Sequence, residues 1–180
     1  MTIFWHFYWP LAAAALIIGV LAARWGFRLV KPDEPPPGFK AKRRKILLAG
    51  ALAALGATLL WHAPLGAGRR LASTIEVSAR ALLDRQEMTA VQAQVARRPF
   101  RRTLLLTGPA DDFQRKELVR ILDNLSGVGG ARWVSPATRG GAYLPVLAEA
   151  LILAATAFGL GVLLSYLLEL KRRSDSYWRW

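Results

Sequence analysis

Apolar positions along this chain fall into three long runs, with a stretch of shorter periodicities between the second and the third. The clearest run extends from Ala150 to Leu168 without a charge and stops at Glu169, Lys171, Arg172 and Arg173. Another goes from Phe7 to Ala23, and another from Ile46 to Trp61. A helix rises 1.5 Å per residue, so roughly 20 apolar residues cross the ~30 Å hydrocarbon core of a bilayer. The two weaker runs sit near the short end of the ~17–25 residues that span. The pattern predicts three transmembrane helices, within residues 1–30, 46–63 and 143–170.

Between the second and third helices the period changes. Ile75, Ala79, Leu82 and Leu83 share one helical face, while Glu76, Arg80 and Asp84 share another at i,i+4 spacing. Val91, Ala93 and Val95 then alternate with polar residues, the mark of a half-buried strand. Residues 101–108, Arg101 to Gly108, read as a second strand ending at glycine. Pro109–Ala110–Asp111–Asp112 starts a helix with acids at its positive end, and its apolar face is predicted as Phe113, Leu118, Ile121, Leu122 and Leu125. The segment from Ser126 to Gly130 stops it, and Ala131–Arg132–Trp133–Val134 forms a last short strand. The expected fold class is a membrane α-helical protein with three transmembrane helices and a small α+β extramembrane domain. That domain occupies residues 64–142 in the order αββαβ, with two helices over one face of a sheet.

The segment RTLLLTGPADDFQRKELVRILDNLSGVGGARWV resembles the core of a BON domain, a small module of bacterial envelope proteins. Leu106–Thr107–Gly108 and Gly127–Val128 match that family's punctuation points, and Arg97–Arg98–Pro99 stands where it has a turn glycine. The resemblance covers residues 71–136. It implies an interaction module for membranes, lipids or other envelope proteins, without enzymatic activity.

Charge sets the expected orientation. The connection at residues 31–45 and its flanks carry Arg24, Arg28, Lys31, Lys40, Lys42, Arg43, Arg44 and Lys45, and the tail at 171–180 carries Lys171, Arg172, Arg173 and Arg179. Short basic segments stay cytoplasmic, which places the C-terminus there and the N-terminus and residues 64–142 in the periplasm of a bacterial inner membrane. Arg69, Arg70 and Arg139 run against this bias but lie in a long translocated segment, where it counts for less. Met1–Thr2–Ile3–Phe4–Trp5–His6 lacks the basic start of a cleavable leader, so the first apolar run is expected to remain as a helix. Trp5, Trp9, Trp25, Trp61 and Tyr143 sit where interfacial rings belong, and Pro10 and Pro145 fall in first helical turns.

Across 180 residues, 53% are hydrophobic and 21% charged, too apolar for an ordinary soluble domain and too charged for a wholly embedded chain. Cysteine is absent, which excludes disulfides and thiolate chemistry. The net charge of +13 would point to nucleic acid in a soluble protein. Here much of it flanks membrane segments, and no basic helix interleaves with stacking aromatics, so nucleic acid is not an expected partner.

Small residues recur at helical spacing: Ala15 and Gly19, Ala53 and Ala57, Ala157 and Gly161. Such faces let membrane helices approach closely, within the chain or against other integral membrane subunits. Arg97, Arg98, Arg101 and Arg102 form the densest external basic cluster, either a solvated strand face or a patch for anionic lipid or protein. Trp178 and Trp180 flank Arg179 in a tail suited to a membrane surface or a partner groove. His6, His62 and Glu149 lie at one expected depth and are the weak candidates for a metal, haem or pigment; three unrelated interfacial residues are the plainer account. No cofactor is predicted. No nucleophile–base–orienter set or phosphate loop can be assembled, so no enzyme is expected. Two roles remain open. One is an accessory subunit of a larger inner-membrane complex, photosynthetic or respiratory by analogy, capped by the periplasmic domain. The other is a stand-alone envelope protein that binds anionic lipid or envelope proteins.

Overall fold

The computed structural model describes residues 3–28, 38–97, 100–134 and 145–177, except the side chains of 28, 173 and 175–177. Five helices and three strands follow in the order α1 (Ile3–Arg28), α2 (Phe39–His62), α3 (Ala67–Arg85), β1 (Gln92–Arg97), β2 (Phe100–Thr107), α4 (Asp112–Asp123), β3 (Gly130–Trp133) and α5 (Val146–Tyr177). Three of the helices are long and apolar enough to cross a membrane, over Ile3–Phe27, Phe39–His62 and Val146–Arg172. Each is longer than the apolar run that predicts it. Interfacial aromatics and flanking basic residues continue the helix beyond the hydrocarbon-like core of the sequence.

The chain forms two compact units, one of Met1–Tyr8 with His62–Glu149, the other of Trp9–Trp61 with Ala150–Trp180. The division cuts α1 between Tyr8 and Trp9. Pro10, expected in a first turn, lies inside the helix because the aromatic run before it is already helical. Proline has no N–H for the carbonyl one turn back, so one intrahelical hydrogen bond is missing beside that division.

In the helical unit the small faces close on one another. Ala15, Ala54, Ala154 and Ala157 form a buried cluster, flanked by Ala12, Leu16, Ile18 and Phe158. A Cβ on Gly19 would fall 2.4 Å from the Phe158 carbonyl oxygen, and one on Gly161 would fall 2.4 Å from that of Leu16. Both positions therefore require glycine, because backbone meets backbone there. Ala53 is exposed and Ala57 half-buried; Ala54 and Thr58 are the buried positions of α2. The Thr58 hydroxyl stays satisfied inside the packing by donating to the Ala54 carbonyl, 2.8 Å away.

In the mixed unit β2 is central. It pairs antiparallel with β1 and parallel with β3. The β1–β2 pairing reaches Arg97 and Phe100 after an irregularity between Val95 and Arg97, so a hairpin forms without a turn glycine. Val95, Leu104 and Leu106 share one face by this register, and all are buried. The α3 helix packs on β1 and α4 on β3. Their buried residues, Leu71, Ile75, Ala79 and Leu83 on α3 and Leu118 and Leu122 on α4, complete the core.

Phe113 departs from expectation: it is 78% exposed. Five residues before Leu118 it is rotated by about 140° at ~100° per residue, off the buried stripe. Trp133 instead closes α4 onto β3, donating from its indole to the Arg115 carbonyl at 3.1 Å, with the Arg115 guanidinium 5.4 Å from its ring centre. The start of α4 is a full capping box. The Asp111 carboxylate accepts from the Gln114 N–H at 2.7 Å, and the Gln114 side chain accepts from the Asp111 N–H at 3.1 Å. Asp111→Ala is expected to cost about 1 kcal/mol of stability in the mixed unit, read as a lowered midpoint in denaturant. Near the end of α4, hydrogen bonds from Arg120 hold the Glu117 carboxyl below the usual carboxylate range. A lowered carboxylate supports the folded state at neutral pH and loses that support as pH falls through its folded value.

Candidate functional site

The site is built where α2 ends and α3 begins. Between them the chain turns at Ala63–Leu65, and Gly66 takes a left-handed φ of +78° that a side chain would strain. Gly66 is the N-cap of α3, supplies no capping side chain, and is followed by a first turn without an acid. That turn instead carries Arg69 and Arg70. Among the described residues, neither guanidinium has a carboxylate partner. The Arg69 side chain folds back, its Nη2 3.6 Å from where a Cβ on Gly66 would sit.

His62, the last residue of α2, faces this helix start. Its Cε1 lies 3.0 Å and its Nε2 3.3 Å from the place a Cβ on Gly68 would take, so the ring rests directly on the first turn of α3. The other ring nitrogen, Nδ1, is hydrogen-bonded to the Tyr8 hydroxyl at 2.8 Å. Tyr8 is itself fully buried and stacks on Phe4 at 4.6 Å between ring centres. The ring of Phe100, at the start of β2, lies 6.0 Å from that of His62.

These residues surround a cleft of about 550 Å³, lined by His62, Arg69, Arg70, Ala72, Arg97 and Phe100, among others. Arg97 is neutralised by Glu76, at 3.0 Å. Glu76 also accepts the Val95 N–H at 3.0 Å, so it ties β1 to α3 instead of joining the Arg80–Asp84 pair along its own helix. Among the described residues the uncompensated positive charges of the cleft are those of Arg69 and Arg70, beside the positive end of a helix dipole.

A second polar cluster lies in the same unit. Arg102 pairs with Glu149 at 3.1 Å, each side chain about a quarter exposed, and its guanidinium stands 5.5 Å from the Phe4 ring centre. The Arg102 Nε and the Thr103 hydroxyl are buried without a hydrogen-bond partner among the described residues.

The residues singled out in the sequence are thus distributed unevenly. His62 is in the cleft, bonded to Tyr8; Glu149 is committed to Arg102; His6 is exposed, edge-on to the ring of Phe7 at 5.9 Å. Among the described residues no group of three or more His, Cys, Asp or Glu is placed to hold a metal ion. The external arginine cluster is divided: Arg97 joins the cleft and Arg102 the Glu149 pair, while Arg101 is half-buried on β2. Arg98, Arg139, Tyr143, Trp178 and Trp180 lie outside the described residues. Ala15, Gly19, Ala157 and Gly161 serve packing inside the helical unit. Sequence reasoning passed over Tyr8, Phe100, Arg69 and Arg70 as site residues. The available signal was the pair of arginines opening a helix that has neither a capping side chain nor an acid in its first turn. No family model, curated protein or solved structure matches the chain.

Proposed function

We propose that the chain is a membrane-anchored, non-catalytic module of the bacterial inner membrane that binds anionic groups at the periplasmic surface. The observation that carries this reading is the cleft, where Arg69 and Arg70 stand without carboxylate partners immediately beyond the end of an apolar helix. A cationic site at that point in the chain is at headgroup depth if the helix spans, and each basic group near an anionic surface contributes about 1 kcal/mol. The BON resemblance supports the same role. A non-catalytic role is favoured by the partner of His62, which is a tyrosine and not a carboxylate, and by the absence of cysteine from the sequence.

The test uses the full chain in neutral detergent micelles. Added short-chain phosphatidylglycerol is expected to raise its thermal unfolding midpoint, since a ligand that binds the folded state alone stabilises it. Phosphatidylcholine should not, and high salt should abolish the effect. Equal stabilisation by both lipids, or indifference to salt, would reject the reading.

A specific observation also favours the accessory-subunit role. Leu48, Leu52, Leu55 and Leu59 form an exposed row along α2 at coiled-coil spacing, and Phe113 stands exposed on α4. Gentle solubilisation decides: a fixed large complex supports the subunit role, and release as a small species opposes it.

A further inference from the structure

We infer that the cleft beside His62 takes a terminal phosphate, a phosphomonoester carried on an apolar body. The inference rests on the anionic-ligand reading above and narrows it to one chemistry.

The first argument is charge. Glu76 cancels Arg97, leaving the two guanidinium groups of Arg69 and Arg70 as the net charge of the cleft's described residues. A phosphodiester brings a single negative charge. A phosphomonoester brings about −1.5 to −2 at neutral pH and three terminal acceptor oxygens. Two guanidinium forks are matched by the second ligand and only half matched by the first.

The second argument is the donor arrangement. Among the described residues the N–H groups of Ala67, Gly68 and Arg69 meet no acceptor, although Ala67 and Gly68 are buried. They open a helix whose positive end already has two added cations close by, an arrangement that is unfavourable until an anion joins it. His62 completes the set. When the Tyr8 hydroxyl donates to Nδ1, the ring proton sits on Nε2, which can then donate and lies over the same first turn.

The third argument is the wall. Ala63, Ala72 and the Phe100 ring add apolar surface to the lining of the cleft. Its volume of about 550 Å³ exceeds what phosphate alone fills and falls inside the ~300–1,000 Å³ range of small-molecule sites. The ligand therefore carries apolar mass next to the phosphate. A lipid phosphomonoester and a soluble aryl or alkyl phosphate both meet that description.

The experiment titrates the full chain in neutral micelles, following complex formation by native mass spectrometry. Four probes are compared: short-chain phosphatidic acid, short-chain phosphatidylglycerol at matched total charge, phenyl phosphate and inorganic phosphate. Phosphatidic acid is expected to bind about tenfold or more tighter than the diester, and Arg69→Gln with Arg70→Gln to abolish that preference. Both side chains are exposed, so the double variant should fold. Phe100→Ala should weaken phosphatidic acid and phenyl phosphate while leaving inorganic phosphate unchanged, which a merely structural role would not produce. Displacement of phosphatidic acid by phenyl phosphate supports the shared chemistry with a soluble source; resistance to it supports a lipid source. Equal affinity for the monoester and diester lipids overturns this inference and leaves the anionic-ligand reading standing. Binding of no anionic probe overturns both.

Discussion

Gly161→Leu is expected to be the most damaging single change in the helical unit. A Cβ at this position would lie 2.4 Å from the Leu16 carbonyl oxygen and 3.0 Å from the Val20 nitrogen, both backbone atoms of α1. A rotamer change cannot relieve that contact; α1 and α5 must separate. Forced overpacking of this kind costs about 3 kcal/mol. The variant should unfold at lower sodium dodecyl sulfate fraction in mixed micelles. Gly159→Leu is the control, since nothing stands within 4 Å of its Cβ direction, and it should shift the midpoint by less than about 0.5 kcal/mol. Gly19→Leu meets the Phe158 carbonyl in the reciprocal contact. The two glycine changes should be less than additive, because either one alone already parts the same pair of backbones. An unaltered midpoint for Gly161→Leu would mean that α1 and α5 do not pack through these residues.

The second large effect belongs to the mixed unit. Leu104 is fully buried on the central strand, opposite Val95 on one side and Ala131 on the other. Leu104→Ala removes its side chain from between both neighbours and should cost about 2–5 kcal/mol. A unit of this size has little stability in reserve. It is therefore expected to open while the helical unit, Trp9–Trp61 with Ala150–Trp180, keeps its own packing. Limited trypsin digestion should then cut faster at the arginines of residues 64–142, while cutting at the exposed Lys40, Lys42, Arg44 and Lys45 of α2 stays unchanged. Leu105→Ala, at a half-buried position on the other face, should leave digestion close to that of the unaltered chain. Equal protease resistance of the Leu104 variant would show that the sheet is not the unit's core.

The sequence made the long helices legible because an uninterrupted apolar run leaves few other solutions. Their ends were less legible. Trp5 and His6 are helical although they lie outside the apolar run, and Pro10 reads as a first-turn residue only if those residues are ignored. The α4 start was legible from Asp111 and Asp112 because capping is local chemistry. Phe113 was misplaced because its apolarity was weighed above its angle on the helix. The site was mostly hidden. Tyr8 and His62 are 54 residues apart, and Arg97 and Glu76 are 21 apart; no local period reports such meetings. Arg69 and Arg70 read in the sequence only as exceptions to the positive-inside bias; two cations in the first turn of a helix, against its dipole, were the further signal that asks for a compensating anion.

We propose that the bilayer solvates three segments of this chain, with residues 64–142 and the basic start of α2 exposed on opposite sides of it. The chain has no cysteine, so single cysteines report without background. Lys42→Cys and Gln86→Cys place one thiol at each exposed location. An impermeant maleimide applied to intact cells, with the outer membrane made permeable, is predicted to label position 86 at once and position 42 only after lysis. Labelling of both positions before lysis, or of neither, would contradict the account.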